Sequence, residues 1–438
     1  MCFTIPLMIS LFLQILYNAA DTMVVGKFAG ETALAAVGST GPAINVMINL
    51  FFGIDTAVNI YIAQKFGAND EEGLFKAVHT TAALSLILGI TLGVFSIAFA
   101  KKLLTLMGSP EDVIELSALY MRIYFIGIPA NMVFSCGSAV LRATGDSKHP
   151  TFYSVLSGII NVILNLVLVI VFKLGVAGVG IATVVAQLVS AFLVVTHLLK
   201  NRGCVALDLK KIKIYSEDAK KLLLLGIPVG LQNVCISLSN VVVQTTINGC
   251  GSEVMAASSA AYSLEGIVYI TLYAFFQAAI TFTGQNYGCG NLKRIRKGHL
   301  ITVLVSLCFT FVFSQYMLKI SPWTLRLYSD SKEVVSLAQE RMNIVCAAYF
   351  LGAVAEVTNG TLRGLCVVNK AVFVTIICDL GVRVAMAVIG APFETAEDLK
   401  FMFLSFPVSW ILTGICLAIL YLHSLNKIEK SRKKGELL

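Results

Sequence analysis

The chain has 438 residues, of which 57% are apolar and 13% charged, and its formal net charge is +8. Soluble domains carry roughly 25% charged residues, and a single core stops growing beyond about 250–300 residues. The apolar excess instead recurs in stretches of about 20 residues or more, the length that crosses a bilayer. These properties exclude a soluble enzyme, a disordered chain and a secreted disulfide scaffold.

In chain order, apolar windows between charged or Gly/Pro-rich breaks predict twelve spans. They fall near 3–26, 34–62, 78–100, 113–140, 151–172, 176–199, 222–248, 254–282, 299–320, 333–360, 370–391 and 401–424. The N-terminal MCFTIPLMISLFLQILYNAA has no basic n-region and no small-residue cleavage site, so it reads as an uncleaved first helix. The eleven cysteines are scattered without a CxxC pair and read as small reduced packing residues, with Cys250 in a predicted outer loop as the exception. The five histidines (His79, His149, His197, His299 and His423) sit mostly at span ends, which argues against a transition-metal site, and no cofactor is expected.

Alternate loops differ sharply in charge. One side holds 22 Lys and Arg, among them Lys65, Arg142, seven between Lys200 and Lys221, Arg363 and five from Lys427 onward; the other side holds eight. Three more, Arg122, Arg341 and Arg383, fall inside spans. The positive-inside rule then predicts a multi-pass plasma-membrane protein with both termini in the cytoplasm. Here the net positive charge reports topology, and no nucleic-acid partner is expected.

The halves repeat. A shift of 221 places Gly30 on Gly251, Ala35 and Ala36 on Ala256 and Ala257, Gln64 on Gln285, Met121 on Met342 and Arg142 on Arg363. Six spans per half give parallel repeats related by an axis along the membrane normal, the usual arrangement for alternating access. The predicted class is an all-α polytopic membrane protein of two pseudo-symmetric six-helix bundles around a central cleft. It divides into an N-terminal lobe (1–200), a cytoplasmic linker (201–221), a C-terminal lobe (222–425) and a basic cytoplasmic tail (426–438).

Ionisable groups at bilayer depth cost a few kcal/mol and usually face a cavity or a partner. Gln14, Tyr17, Asn18 and Asp21 share one face of span one, with Pro6 upstream as a point where the helix can bend. Span five carries Ser154, Ser157, Asn161 and Asn165, and span six carries Thr183 after a Gly-rich run. One carboxylate with neutral oxygens suits Na⁺, and a desolvated carboxylate can equally carry H⁺. The competing reading makes Asp21 a helix-end residue and the asparagines interhelical glue. In the second half, Gln244 lies on a polar face of span seven, and Ser258, Tyr262, Glu265, Tyr269 and Gln277 follow helical spacing in span eight. A glutamate between two tyrosines suits an organic cation, or else an interhelical hydrogen bond. Asp55 either lines the same cavity or pairs with a cationic side chain. Asp379 with Arg383, at i, i+4, reads as a structural ion pair, and Glu356 with Arg363 also as structural.

The run Asp21-Thr22-Met23-Val24-Val25-Gly26, followed by Ala33-Leu34-Ala35-Ala36, resembles the first loop of the multidrug and toxic compound extrusion (MATE) family. So do Phe282-Thr283-Gly284-Gln285-Asn286-Tyr287-Gly288, Leu141-Arg142-Ala143-Thr144-Gly145-Asp146 and its echo Leu362-Arg363-Gly364. The resemblance implies antiport, in which organic cations leave while Na⁺ or H⁺ enters. It implies an ion site of Asp21, Asn161, Asn165, Tyr120 and Thr183 with Pro6, where Asn165 replaces the second acid of prokaryotic relatives. It also implies a short basic leader ahead of this numbering. The expected function is therefore a cation-coupled exporter of small-molecule organic cations, monomeric and surrounded by membrane lipids. The alternatives are a lipid-linked oligosaccharide flippase of related fold, which would be expected to carry a strongly basic cavity, and an integral membrane enzyme.

Overall fold

The computed structural model describes residues 1, 3–106, 111–201, 203–248, 251–389 and 396–434; the side chains of Asn18 and Gln244, and all of Cys250, lie outside the described set. Fifteen α-helices and no strand occur among the described residues: α1 (Thr4–Phe28), α2 (Glu31–Gly67), α3 (Glu71–Leu106), α4 (Glu111–Ile126), α5 (Ile128–Ala143), α6 (Lys148–Leu166), α7 (Gly175–Lys200), α8 (Ser216–Asn248), α9 (Ser252–Gly288), α10 (Leu292–Leu325), α11 (Lys332–Ala348), α12 (Gly352–Gly364), α13 (Val368–Thr375), α14 (Val382–Ile389) and α15 (Ala396–Lys433). Eleven helical segments are long and apolar enough to span a bilayer, and α4 with α5 makes a twelfth that is bent by 44°. All-helical spans follow from the bilayer itself, since every backbone N–H must be satisfied within its own segment.

The bend between α4 and α5 has a local cause. Pro129 has no N–H to donate, and its ring clashes with the carbonyl four residues back. Gly127, at the break, donates to the Tyr124 carbonyl at 3.1 Å in a tighter turn. The equivalent stretch of the second half, shifted by 221, has Phe350 in place of Pro129. There the interruption shrinks to a single 3₁₀ turn, Tyr349–Leu351, and Lys332–Gly364 passes as one span.

Pro6 does not sit at a bend. It occupies the first turn of α1, where a missing N–H costs nothing because such donors have no intrahelical partner. Its carbonyl accepts the Thr151 hydroxyl at 3.0 Å, fastening the start of α1 to α6.

Two compact units divide the chain at Gly230/Leu231, within α8. In unit one, α1 packs on α6, α6 on α7, and α2, α3 and α7 surround α5; its core includes Met121, Phe125, Ile128 and Met132. The first half of α8 belongs to this unit because a side chain on Gly53 of α2 would fall 2.3 Å from the Gly226 carbonyl and 2.4 Å from the Gly230 nitrogen. The two helices touch backbone to backbone, as small residues allow in membranes. In unit two, α9 packs against α10, α11 and α12, around Leu272, Met342, Val345 and Ala353.

Candidate functional site

Unit one brings four of the predicted polar residues together. α1 presents Asp21, α6 presents Asn161 and Asn165 one turn apart, and α7 presents Thr183. The Asn165 amide donates to Asp21 Oδ1 and, at 3.4 Å, to Asn161 Oδ1. Asn161 Nδ2 donates to Thr183 Oγ1 at 3.4 Å, and the Thr183 hydroxyl donates to the Val179 carbonyl at 3.0 Å. Asn161 and Asn165 are buried, Asp21 is half-buried, and Asn165 Oδ1 has no hydrogen-bond partner. No basic side chain pairs with Asp21 among the described residues. Tyr120 is also buried, with its ring against the backbone of Gly180 in α7.

Tyr17 shares the Asp21 face but closes the helix contact instead of opening toward a cavity. Its hydroxyl donates to the Val155 carbonyl at 3.2 Å. Its ring fills the space above Gly158, where an added Cβ would meet Tyr17 at 1.8 Å. Gly158 thus sets how closely α1 approaches α6, and Tyr17 is a packing residue. Gln14 is exposed on α1.

Two predicted cavity acids are corrected. Asp55 on α2 accepts from Arg142 Nη2 at 2.7 Å, with both side chains largely buried. Glu265 on α9 is held bidentately by Arg341 of α11, at 2.8 Å to each carboxylate oxygen, and Arg341 also donates to Ser258. Both members of this pair are 3% exposed. A planar guanidinium matches a carboxylate in this fork geometry, so neither acid is available to a transported cation. Sequence spacing offers pairing as the alternative for each acid but does not name the partner, because each pair crosses between helices far apart in the chain. Arg341 inside a span was the available signal; Arg142 had been placed in a loop.

The second-half arginines differ again. Arg363, also assigned to a loop from sequence, is buried; it donates to Asn359 at 3.1 Å and Gln232 at 3.0 Å, and lies 4.9 Å from the Phe276 ring centroid. Arg383 donates to Asn240 at 3.2 Å and lies 4.6 Å from the Phe406 centroid. It forms no ion pair with Asp379, contrary to the i, i+4 expectation. Asp379 falls in the π-helical turn Ile376–Gly381, whose wider winding takes it off register, and it accepts from Thr413 at 3.1 Å. Glu356 on α12, read from sequence as structural with Arg363, is half-buried and lies within electrostatic reach of that arginine. Tyr262 and Tyr269 are 57% and 43% exposed, whereas Gln277 is buried and donates to the Tyr273 hydroxyl at 2.9 Å.

The comparisons agree with this architecture. The MatE family model matches twice, over residues 6–167 and 228–389, so the chain carries the model once in each half. The probable multidrug resistance protein YoeA of Bacillus subtilis is 29% identical over 405 residues, covering 91% of this chain and 87% of that protein. A protein named FAD transporter from Shewanella oneidensis is 26% identical over 71% of this chain and 68% of its own length. A solved structure described as the outward-facing conformation of a multidrug resistance MATE family transporter superposes with TM-score 0.91 at 22% identity, over 98% of this chain and 95% of that one. With its doubled family match and its spans, the chain is a multi-pass membrane transporter, not an enzyme, and it belongs to the MatE family.

Proposed function

We propose that this protein is an antiporter that exports small organic cations, drugs among them, by alternating access, with Na⁺ or H⁺ as the coupling ion at Asp21. One observation carries the reading: Asp21 is a carboxylate inside a span that has no basic partner among the described residues and accepts from the amide of Asn165, whose side-chain oxygen is unsatisfied. An interior carboxylate of this kind is strongly stabilised by a small cation or a proton, and its occupancy favours whichever state shields it better. Asn165 Oδ1, Asn161 Oδ1, Thr183 Oγ1 and the phenol of Tyr120 are the neutral groups nearest to hand for a bound Na⁺. With Asp55 and Glu265 neutralised by arginine, the exported cation is left to the exposed rings of Tyr262 and Tyr269. The names of the relatives, a multidrug resistance protein and a FAD transporter, support small-molecule cargo of several kinds. We further propose a monomer in the plasma membrane with both termini in the cytoplasm, the side on which the basic loops concentrate.

The test is ethidium efflux from proteoliposomes driven separately by a Na⁺ gradient and by a pH gradient. One of the two should drive export in the native protein and neither in Asp21→Asn. Full gradient-driven export by Asp21→Asn would reject the assignment.

A further inference from the structure

The sequence sets the histidines at span ends, far apart along the chain, yet the fold brings two of them to one place. Asp146 precedes α6 and caps it: Oδ1 accepts the backbone N–H groups of Lys148 and His149 at 3.1 and 3.2 Å. Its other oxygen lies 2.6 Å from Nδ1 of His149, in the first turn of α6. His197, in the last turn of α7, faces the same spot, its ring centroid 4.6 Å from that of His149. The Tyr153 hydroxyl sits 2.7 Å from His197 Nδ1 and fixes that ring. One ligand atom from each of Asp146, His149 and His197 lies within 4.8 Å of the others.

From this cluster, outside the Asp21 site, we propose a binding site for a divalent transition metal of the zinc class, with Asp146, His149 and His197 as its ligands. Two imidazoles and one carboxylate, with a fourth position open to water, form a standard zinc donor set. Ligand atoms of a tetrahedral zinc site stand roughly 3.3 Å apart, so the present spacing closes by rotamer adjustment without moving a helix. Tyr153 supplies the outer hydrogen bond that orients a ligating imidazole, and Asp146 is already positioned by its cap. His149 is partly exposed, with 54% of its side chain accessible, which leaves an entry path. A bound ion would fasten the start of α6 to the end of α7, the helices that carry Asn161, Asn165 and Thr183.

The full-length protein in detergent, stripped with EDTA, is titrated with Zn²⁺ by calorimetry and with Co²⁺ by visible absorption. The expected result is one saturable ion per chain and tetrahedral Co²⁺ bands without thiolate charge transfer. His149→Phe and His197→Phe should each weaken binding about 10–100-fold or more, and Tyr153→Phe about tenfold. Asp146→Asn keeps an N-cap, and His149→Gln keeps a donor to Asp146, so loss of binding by these variants at unchanged melting temperature isolates coordination from folding. Absence of saturable uptake, undiminished affinity in both histidine variants, or near-ultraviolet thiolate bands placing the ion on cysteines would each overturn the site.

Discussion

In unit one, Arg142 meets Asp55 at 2.7 Å. In unit two, the residue 221 positions later, Arg363, lies over the ring of Phe276, which itself stands 221 positions after Asp55. The repeat has kept the arginine and replaced the carboxylate beneath it with an aromatic face. The exchange runs the other way at a second pair of positions. Tyr120 and Ile44 of unit one correspond to Arg341 and Glu265 of unit two, which form a buried bidentate pair. At the same shift Asp21, Asn161, Asn165 and Thr183 fall on Val242, Val382, Met386 and Leu404, and at the shift of 222 that relates the ends of the two family matches on Val243, Arg383, Ala387 and Ser405, so neither register repeats the set. The duplicated scaffold therefore carries this set of one carboxylate, two amides and a hydroxyl in one copy only. In unit two the acid at span eight is neutralised for good, and in unit one an acid is left open. The lesson is that interior charge tolerates a site only where no guanidinium has been placed within reach.

That contrast can be broken first at Glu265. Arg341→Met strands a buried carboxylate, and such losses cost about 3–5 kcal/mol. A fall of that size in the stability of the detergent-solubilised protein is expected, with most of it recovered in the double variant Glu265→Leu/Arg341→Met. An unchanged melting temperature in the single variant would remove the pair from any structural role. Asp21→Asn tests the opposite case. Because no partner is stranded, stability should change by less than about 1 kcal/mol, while gradient-driven efflux falls at least about tenfold, equivalent to roughly 1.4 kcal/mol.

A smaller effect sharpens the arginine comparison. Phe276→Leu keeps apolar bulk but removes the π face under Arg363, which should cost about 1–2 kcal/mol; Phe276→Asp should restore a unit-one type of pair and recover part of that loss. The smallest expected effect lies in the loop between α2 and α3. There Lys65 holds Asp70 at 2.6 Å and the Gly73 N–H adds a second bond, so the Asp70 pKa is lowered below its ordinary value. A depressed carboxylate stabilises the folded form fully above its unfolded pKa of about 3.9, and the contribution disappears as pH falls through the lowered folded value. Asp70 is partly exposed, so Asp70→Asn should cost under about 1 kcal/mol at pH 7 and nothing in strong acid, read as the difference between the two unfolding curves across pH.

The amino-acid order alone determined the spans, their repeat and the concentration of positive charge in alternate loops, because each is a property of local hydropathy, length and charge, which the bilayer reads segment by segment. It also put Asp21, Asn161, Asn165 and Thr183 on their helix faces, since the 3.6-residue period fixes which side chains share a stripe. What it left open was which charges meet. Arg142 with Asp55, Arg341 with Glu265, and His197 with Asp146 and His149 are contacts between helices distant in sequence, and the π turn that parts Asp379 from Arg383 has no signature in spacing. Those outcomes belong to tertiary packing, because a buried ionisable group takes its character from the nearest group on a neighbouring helix, and only the assembled bundle decides which group that is.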